Sequence, residues 1–326
     1  MNASALLPLL TKYGGSSISY STLEPGLKHW FVANVGYAAY TSSLGHKFVL
    51  GCPVCHDESL GVITSDLVNN LNRPAFVQID EAFAELLHAK FGYKITQIGV
   101  ETSLDIQKYS LTDDSRKSRL RASLRKGRLT SNVHELTSAE LSDRFRIGRI
   151  NLDELSRKWL AGKTKRKYLR FLIRTISYDD QPFVRKFYSI GRDNQLQGFA
   201  FFTPIFEEDN TVGYCCDAVR TGPDAPYGHA AYLILSALDH FRQEGLRTLS
   251  LGLSPVVSRD AEFRPDFLTT QALKYLYRYG NGLFNFSGIY RYKKQFGGER
   301  KPAFMATGRT FTGIESLALA RLMRFV

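Results

Sequence analysis

Apolar and polar positions along this chain alternate in some stretches and recur every three to four residues in others, so strands and helices can be placed by period. The clearest stretch runs over residues 198–256. Two apolar runs, 198–206 and 212–219, flank the acidic turn Glu207-Glu208-Asp209-Asn210 and predict a β-hairpin. A loop with Pro223 and Pro226 follows. Ile234, Leu238 and Phe241 then recur at helical spacing, and Gly245 ends that helix. Leu249, Leu251 and Leu253 alternate with Thr248, Ser250 and Gly252, the pattern of a strand. Strand, strand, helix and strand with short joints put the loop before the helix where strand ends and helix amides converge, a natural place for a substrate.

The same pattern, read from the start, predicts strands at 30–35, 37–42 and 47–54, a helix at 62–71, a strand at 75–79, a helix at 81–90, a strand at 94–101 and extended chain at 106–110. Residues 113–128 read as a helix, with Asp113 or Asp114 at its N-cap and Gly127 near its end. Beyond it come a strand at 132–136, a capping box from Thr137 to Glu140, helix to 159, and strands at 171–177 and 183–189. After Pro255 the pattern predicts helices at 266–279 and 314–326, the second amphipathic with Arg321 and Arg324. The segment 283–296 between them is rich in aromatics and cations. Two units of similar order argue for a duplicated α/β fold with two mixed-sheet domains: 1–112, then a basic connecting helix at 113–128, then 129–326.

Charge narrows the partners. The 326 residues carry 43 Lys and Arg against 31 Asp and Glu, a net charge of +12, which favours nucleic acid, a lipid surface or a phosphorylated substrate. The helix at 113–128 concentrates that excess: no acid follows Asp114, so its cations repel one another unless an anion faces them. Lys163, Lys165, Arg166, Lys167 and Arg170 form a second basic cluster. No apolar run reaches the ~20 residues of a membrane span. The start of the chain lacks the basic lead and cleavage site of a signal peptide. The expected location is cytoplasmic, peripheral at the inner membrane face. Four cysteines form no disulfide framework. Cys52-Pro53-Val54-Cys55-His56 matches the C-x-x-C-H haem pattern, but without an export signal these cysteines read as small core residues, as do Cys215 and Cys216. No metal site is expected.

Several short segments, in order along most of the chain, carry a resemblance. They are Val49-Leu50-Gly51-Cys52-Pro53, the basic segment 109–128, Asp217-Ala218-Val219-Arg220 with Pro223-Asp224-Ala225-Pro226-Tyr227-Gly228, Leu251-Gly252-Leu253-Ser254-Pro255, and Phe284-Asn285-Phe286-Ser287-Gly288-Ile289 leading to Tyr292-Lys293 and Phe296. In these the chain resembles the C-terminal catalytic region of phosphatidylglycerol lysyltransferases and alanyl-phosphatidylglycerol synthases. The family's membrane-embedded half has no counterpart among these segments, so a soluble stand-alone member is expected. The resemblance implies a tandem acetyltransferase-like (GNAT) fold. It also implies transfer of an aminoacyl group from aminoacyl-tRNA to a hydroxyl of phosphatidylglycerol or a related acceptor, with no cofactor beyond the aminoacyl-tRNA and no DNA.

Such an ester is already activated, so the enzyme must hold the tRNA end, admit the acceptor, take its proton and stabilise an oxyanion. No G-x-S-x-G elbow is present. The expected catalytic set is Asp217, Arg220, Asn285 and Lys293: Arg220 to grip a phosphate or ribose, Asp217 to orient an amine or accept a proton, Asn285 and Lys293 on the pocket's other wall. Asp217 with Arg220 also reads as a structural ion pair. The expected substrate-binding set is Asp224, Gly252, Ser254 and Phe286, although Asp224 also suits a cap of the following helix. Lys117, Arg119, Arg121, Arg125, Lys126 and Arg128 are the expected tRNA contacts. Two alternatives stay open, a CoA-dependent N-acyltransferase and a non-catalytic nucleic-acid or lipid-binding protein. Against CoA, Pro223 and Pro226 remove amide donors from the loop and Asp224 adds negative charge.

Overall fold

The computed structural model describes residues 5–112, 114–137, 152–162, 171, 174–255, 285–308 and 313–322. Its first half opens with helix α1 (Leu7–Tyr13) and a 3-10 turn (Ser19–Leu23), then strands β1 (Lys28–Val32), β2 (Gly36–Ser43), β3 (His46–Leu50) and the short β4 (Val54–Cys55). Helix α2 (Leu60–Asn70), β5 (Ala75–Ile79), α3 (Glu81–Phe91) and β6 (Lys94–Asp105) complete it. Helix α4 (Ser118–Thr130) leads into the second half: β7 (Ser131–Glu135), α5 (Leu152–Ala161), β8 (Arg185–Gly191), β9 (Leu196–Glu207), β10 (Asn210–Thr221), α6 (His229–Gln243) and β11 (Thr248–Pro255). Helix α7 (Phe286–Lys294), β12 (Glu299–Thr307) and α8 (Gly313–Leu322) follow.

The local reasons for these elements are visible in the sequence. Asp80 caps α3 by accepting from the Phe83 amide at 2.9 Å, and Gly92 at φ 66 ends it. The turn between β9 and β10 places Glu208 and Asp209 at φ 47 and 64, the left-handed pair that a two-residue hairpin requires. Helix α6 stops at Gly245, φ 79. Its inner face meets Phe187, Phe202 and Tyr214, the last stacked on Phe241 at 4.6 Å.

The described strands form one sheet, not two, in the order β1-β2-β3-β5-β12-β6-β11-β10-β9-β8-β7, with β4 beside β2. The order is the same read inward from either end: an antiparallel run, a crossover helix, a parallel pair (β3 with β5, β10 with β11), then one of two central strands. This is a duplicated fold whose halves are fused. The fusion comes from β12, which lies near the end of the chain yet inserts between β5 and β6 of the first half. The division at residues 112 and 129 is therefore crossed by residues 299–307. Phe304 and Ala306 of β12 join a core cluster otherwise built from first-half residues, including Phe76, and Met305 packs in a second cluster with Phe48 and Val77.

Three local expectations are corrected. Residues 174–178 form no strand: Arg174 is drawn into the interior by Glu24 and Asp217, and the Thr175 amide donates to Glu24 Oε1 at 3.0 Å instead of to a neighbouring strand. Gly127 lies in the last turn of α4 as expected, but it is not the cap, which is Ser131. The glycine sits within the helix because a Cβ there would lie 2.1 Å from the Tyr232 ring, so it permits close packing of α4 on α6. Residues 106–108 turn instead of extending. The capping box at 137–140, the basic cluster at 163–170 and the helix at 266–279 lie wholly or largely outside the described residues.

Candidate active site

Parallel strands β10 and β11 pair only at Gly213–Thr248, Tyr214–Leu249 and Cys215–Ser250. Each then bulges against its other neighbour, β10 between Cys216 and Ala218 and β11 between Ser250 and Leu253. Gly252 takes φ 72 within the second bulge. The strands separate, and a cavity of about 350 Å³ fills the gap. Cys215 and Cys216 are adjacent in one strand, and both line the cavity.

One wall carries Asp217. Its carboxylate lies 3.4 Å from Arg174 Nη1, and Arg174 in turn lies 3.5 Å from Glu24 and packs over the Tyr20 ring. Arg174 is only 8% exposed, so this is an interior cluster of two carboxylates and one guanidinium. Burial raises the Asp217 carboxyl above the ordinary range, and Arg174 opposes that rise.

The facing wall is α7. Asn285 caps this helix from φ 49, its side chain accepting from the Gly288 amide at 3.2 Å. The helix then presents Phe286, Ile289, Tyr292 and Lys293 to the cavity. Lys293 Nζ donates to the Leu253 carbonyl at 2.9 Å. A Cβ on Gly252 would lie 3.7 Å from that ammonium, so the Gly252 bulge and Lys293 share one corner. Burial lowers the Lys293 pKa from the usual lysine range. Burial also raises the Tyr292 phenol, whose oxygen has no hydrogen-bond partner among the described residues. The thiols are poor nucleophiles here: burial pushes Cys216 up to about 12 and raises Cys215 as well.

A second cavity of about 570 Å³ adjoins the first and shares Ser17, Ile18 and Gln78 with it. Glu101 lines it, accepting from Ser17 Oγ at 2.7 Å and from Ser250 Oγ at 2.8 Å, while Ser250 Oγ accepts from the Gly252 amide at 2.9 Å. A hydrogen-bonded chain thus ties the first half to the bulge that opens the site.

Of the residues expected from sequence, Asp217, Lys293, Gly252 and Phe286 meet at this cavity. The others do not line it. Arg220, 7% exposed, stacks its guanidinium 5.0 Å over Trp159 of α5 and forms no pair with Asp217, which takes Arg174 instead. Asn285 is the helix cap. Asp224 is exposed in the loop before α6, and the cap of that helix is Gly228, so the capping role expected for Asp224 does not occur. Ser254 is fully buried, with no partner for its hydroxyl among the described residues. Arg174, Tyr292, Glu101 and Gln78 were not expected. Three of them reach the site from segments far away in sequence, and Arg174 sits in a stretch whose alternation mimics a strand.

The basic helix splits into two groups. Lys117 donates to Ser110 O at 2.7 Å and packs over Tyr109, Arg121 donates to Leu111 O at 2.6 Å, and Arg128 pairs with Asp239 at 3.4 Å. Arg119, Arg125 and Lys126 are exposed. A Cβ on Gly297 would lie 3.2 Å from Lys117 Cε, which puts Lys117 near the end of α7 that carries the exposed Arg291 and Lys294.

Residues 7–307 match the family described as phosphatidylglycerol lysyltransferase, C-terminal. The phosphatidylglycerol lysyltransferase of Bacillus subtilis (strain 168) is 21% identical over 309 residues, covering 92% of this chain and 34% of that protein. The protein of the same name from Staphylococcus epidermidis is 21% identical over 327 residues, covering 98% of this chain and 37% of its own length. The chain spans about a third of the length of these relatives. Among solved structures, L-PGS from Bacillus licheniformis shares the fold with a TM-score of 0.80 at 17% identity, covering 99% of this chain and 97% of that one. The C-terminal domain of a putative lysylphosphatidylglycerol synthetase from Agrobacterium fabrum does so at 0.77 and 19%, covering 98% and 94%. FemX is more distant, at 0.51 and 9%, covering 99% and 98%. With nearly its whole length matched, this chain belongs to the family of phosphatidylglycerol lysyltransferase C-terminal regions.

Proposed function

We propose that this chain is an aminoacyltransferase that moves an amino acid from an aminoacyl-tRNA to a hydroxyl of phosphatidylglycerol or a closely related lipid, within the cavity between β10 and β11. One observation carries the reading: an acid, Asp217, and a base, Lys293, line one cavity between β10 and β11, which meets a second cavity at Ser17, Ile18 and Gln78. Donor and acceptor then have separate approaches to one reacting centre. Asp217 holds the amine of the aminoacyl group. Lys293, whose neutral form is favoured by burial, takes the proton of the acceptor hydroxyl as that oxygen attacks the ester carbonyl. The Tyr292 hydroxyl donates to the developing oxyanion. The bond from the carbonyl carbon to the terminal ribose oxygen breaks, and the proton passes from Lys293 to that oxygen. No step requires a cofactor.

Arg119, Arg125 and Lys126 on α4, with Arg291 and Lys294 on α7, supply cationic surface for the tRNA phosphates. No described helix is long and apolar enough to cross a membrane. Helix α8 buries Ala318 and Leu319 yet leaves Ile314 61% and Leu317 50% exposed, which suits peripheral contact with a cytoplasmic membrane face. An acyl-CoA donor is disfavoured because Ser123 of α4 closes on the N-terminus of α6: a Cβ on Gly228 would lie 2.1 Å from its hydroxyl.

The test is incubation of the protein with a mixture of charged tRNAs and total lipid, followed by mass spectrometry of the lipid fraction. The reading expects a lipid gaining the mass of one amino-acid residue, dependent on charged tRNA. A lipid fraction unchanged with charged tRNA, or modified only when acyl-CoA is added, contradicts it.

A further inference from the structure

The first half carries a counterpart of the Gly252 bulge. In β5, Val77 pairs with Met305 and Ile79 with Phe304, so Gln78 is an extra residue bulged from the strand, at φ 62. By sheet order β5 corresponds to β11, and there the same left-handed requirement is met by glycine. A side chain at such a φ is strained where glycine is not. Gln78 adds a second cost: it is 7% exposed, and its Oε1 has no hydrogen-bond partner among the described residues. Both costs fall on a residue that lines the transfer cavity and the adjoining polar cavity at once.

We propose that Gln78 is a specificity-determining residue for the acceptor, its carboxamide hydrogen-bonding the hydroxyls of a glycerol-type headgroup. This rests on the transfer reading above. A carboxamide both donates and accepts without charge, which matches a hydroxyl group. The charged positions of the transfer cavity are already held by Asp217 and Lys293. The adjoining cavity, where Ser17 also lies, adds Ser103, Ser250 and Glu101 beside Gln78, hydroxyls and a carboxylate that suit a polyol, with Arg247 and Lys301 also on its lining for the headgroup phosphate. The bulge fixes the amide where the two spaces meet, so bonds formed there lose little ordering entropy.

The test uses the intact protein with glycerophosphoglycerol, the soluble headgroup, in titration calorimetry. Gln78→Gly relieves the backbone and removes the amide. It is expected to raise the thermal midpoint by about 2–4 °C and weaken headgroup binding ~10-fold or more, with tRNA retention unchanged. Gln78→Leu keeps the strained backbone but removes the amide with its unpartnered oxygen, so it is expected to weaken binding with a smaller gain in midpoint than Gln78→Gly. Headgroup binding by Gln78→Gly equal to wild type, a lowered midpoint in that variant, or no binding by wild type overturns the proposal. Wild type that binds the headgroup in a Gln78-dependent way yet transfers nothing to lipid contradicts the transfer reading while supporting this one.

Discussion

Burial shifts the pKa values of both Asp217 and Lys293, and the same effect acts elsewhere in the second half. His229 is 2% exposed, shares a 2.7 Å hydrogen bond with Ser189, and has its pKa lowered from 6.5 to about 4 by burial. The folded protein therefore resists a proton that the unfolded chain accepts near 6.5. Stability from this residue is complete above that pH and is lost as pH falls toward 4. Between pH 7 and pH 5 the wild type is expected to lose about 2 kcal/mol more than His229→Gln, measured as urea unfolding free energies. Parallel losses in the two proteins would refute this. At this scale the sequence was partly legible. Lys293, Asp217, Gly252 and Phe286 sit in short motifs, and the structure brings them to one cavity. Arg220 lies three residues after Asp217, an odd spacing that does not place two strand side chains on one face, and it stacks on Trp159. Gln78 and Arg174 had no local signal, because a left-handed φ and a buried ion cluster arise from distant partners.

Helix α4 shows how an element divides its charges. Lys117 and Arg121 tie the preceding loop to the helix, and Arg128 pairs with Asp239, while Arg119, Arg125 and Lys126 face outward. Reversing those three to Glu is expected to weaken tRNA binding and reduce the log–log salt slope by about 2 or more. Arg121→Ala is expected to lower thermal stability with little change in that slope. A salt slope unaltered by the triple reversal would remove α4 from the tRNA surface. Apolar runs and helical spacing were sufficient to place the β9–β10 hairpin and α6, whose residues are largely buried, and candidate cap residues placed α4. Periodicity failed at 174–178, where Arg174 joins an interior ion cluster while Ile176 and Tyr178 pack against apolar core. It was also blind to the bulge at Gly252, the feature that opens the site.

Across the whole molecule, β12 stitches the halves into one sheet. A sequence can reveal two similar units, but it does not state which strands a given strand will join, and so the exchange was invisible. The sheet predicts joint unfolding. Trp30 lies in β1 and Trp159 in α5, so Trp30→Phe and Trp159→Phe each leave one fluorescent reporter in one half. Their urea midpoints are expected to coincide, each corrected for its own substitution by circular dichroism; two separate transitions would contradict a shared core. The most direct test of the transfer site is single-turnover transfer of a labelled amino acid from its tRNA to phosphatidylglycerol vesicles by wild type and by Lys293→Met. A loss of about 100-fold or more in rate, with unchanged thermal midpoint and tRNA retention, is the predicted result. A variant rate within about threefold of wild type would contradict the placement of proton transfer in the cavity between β10 and β11.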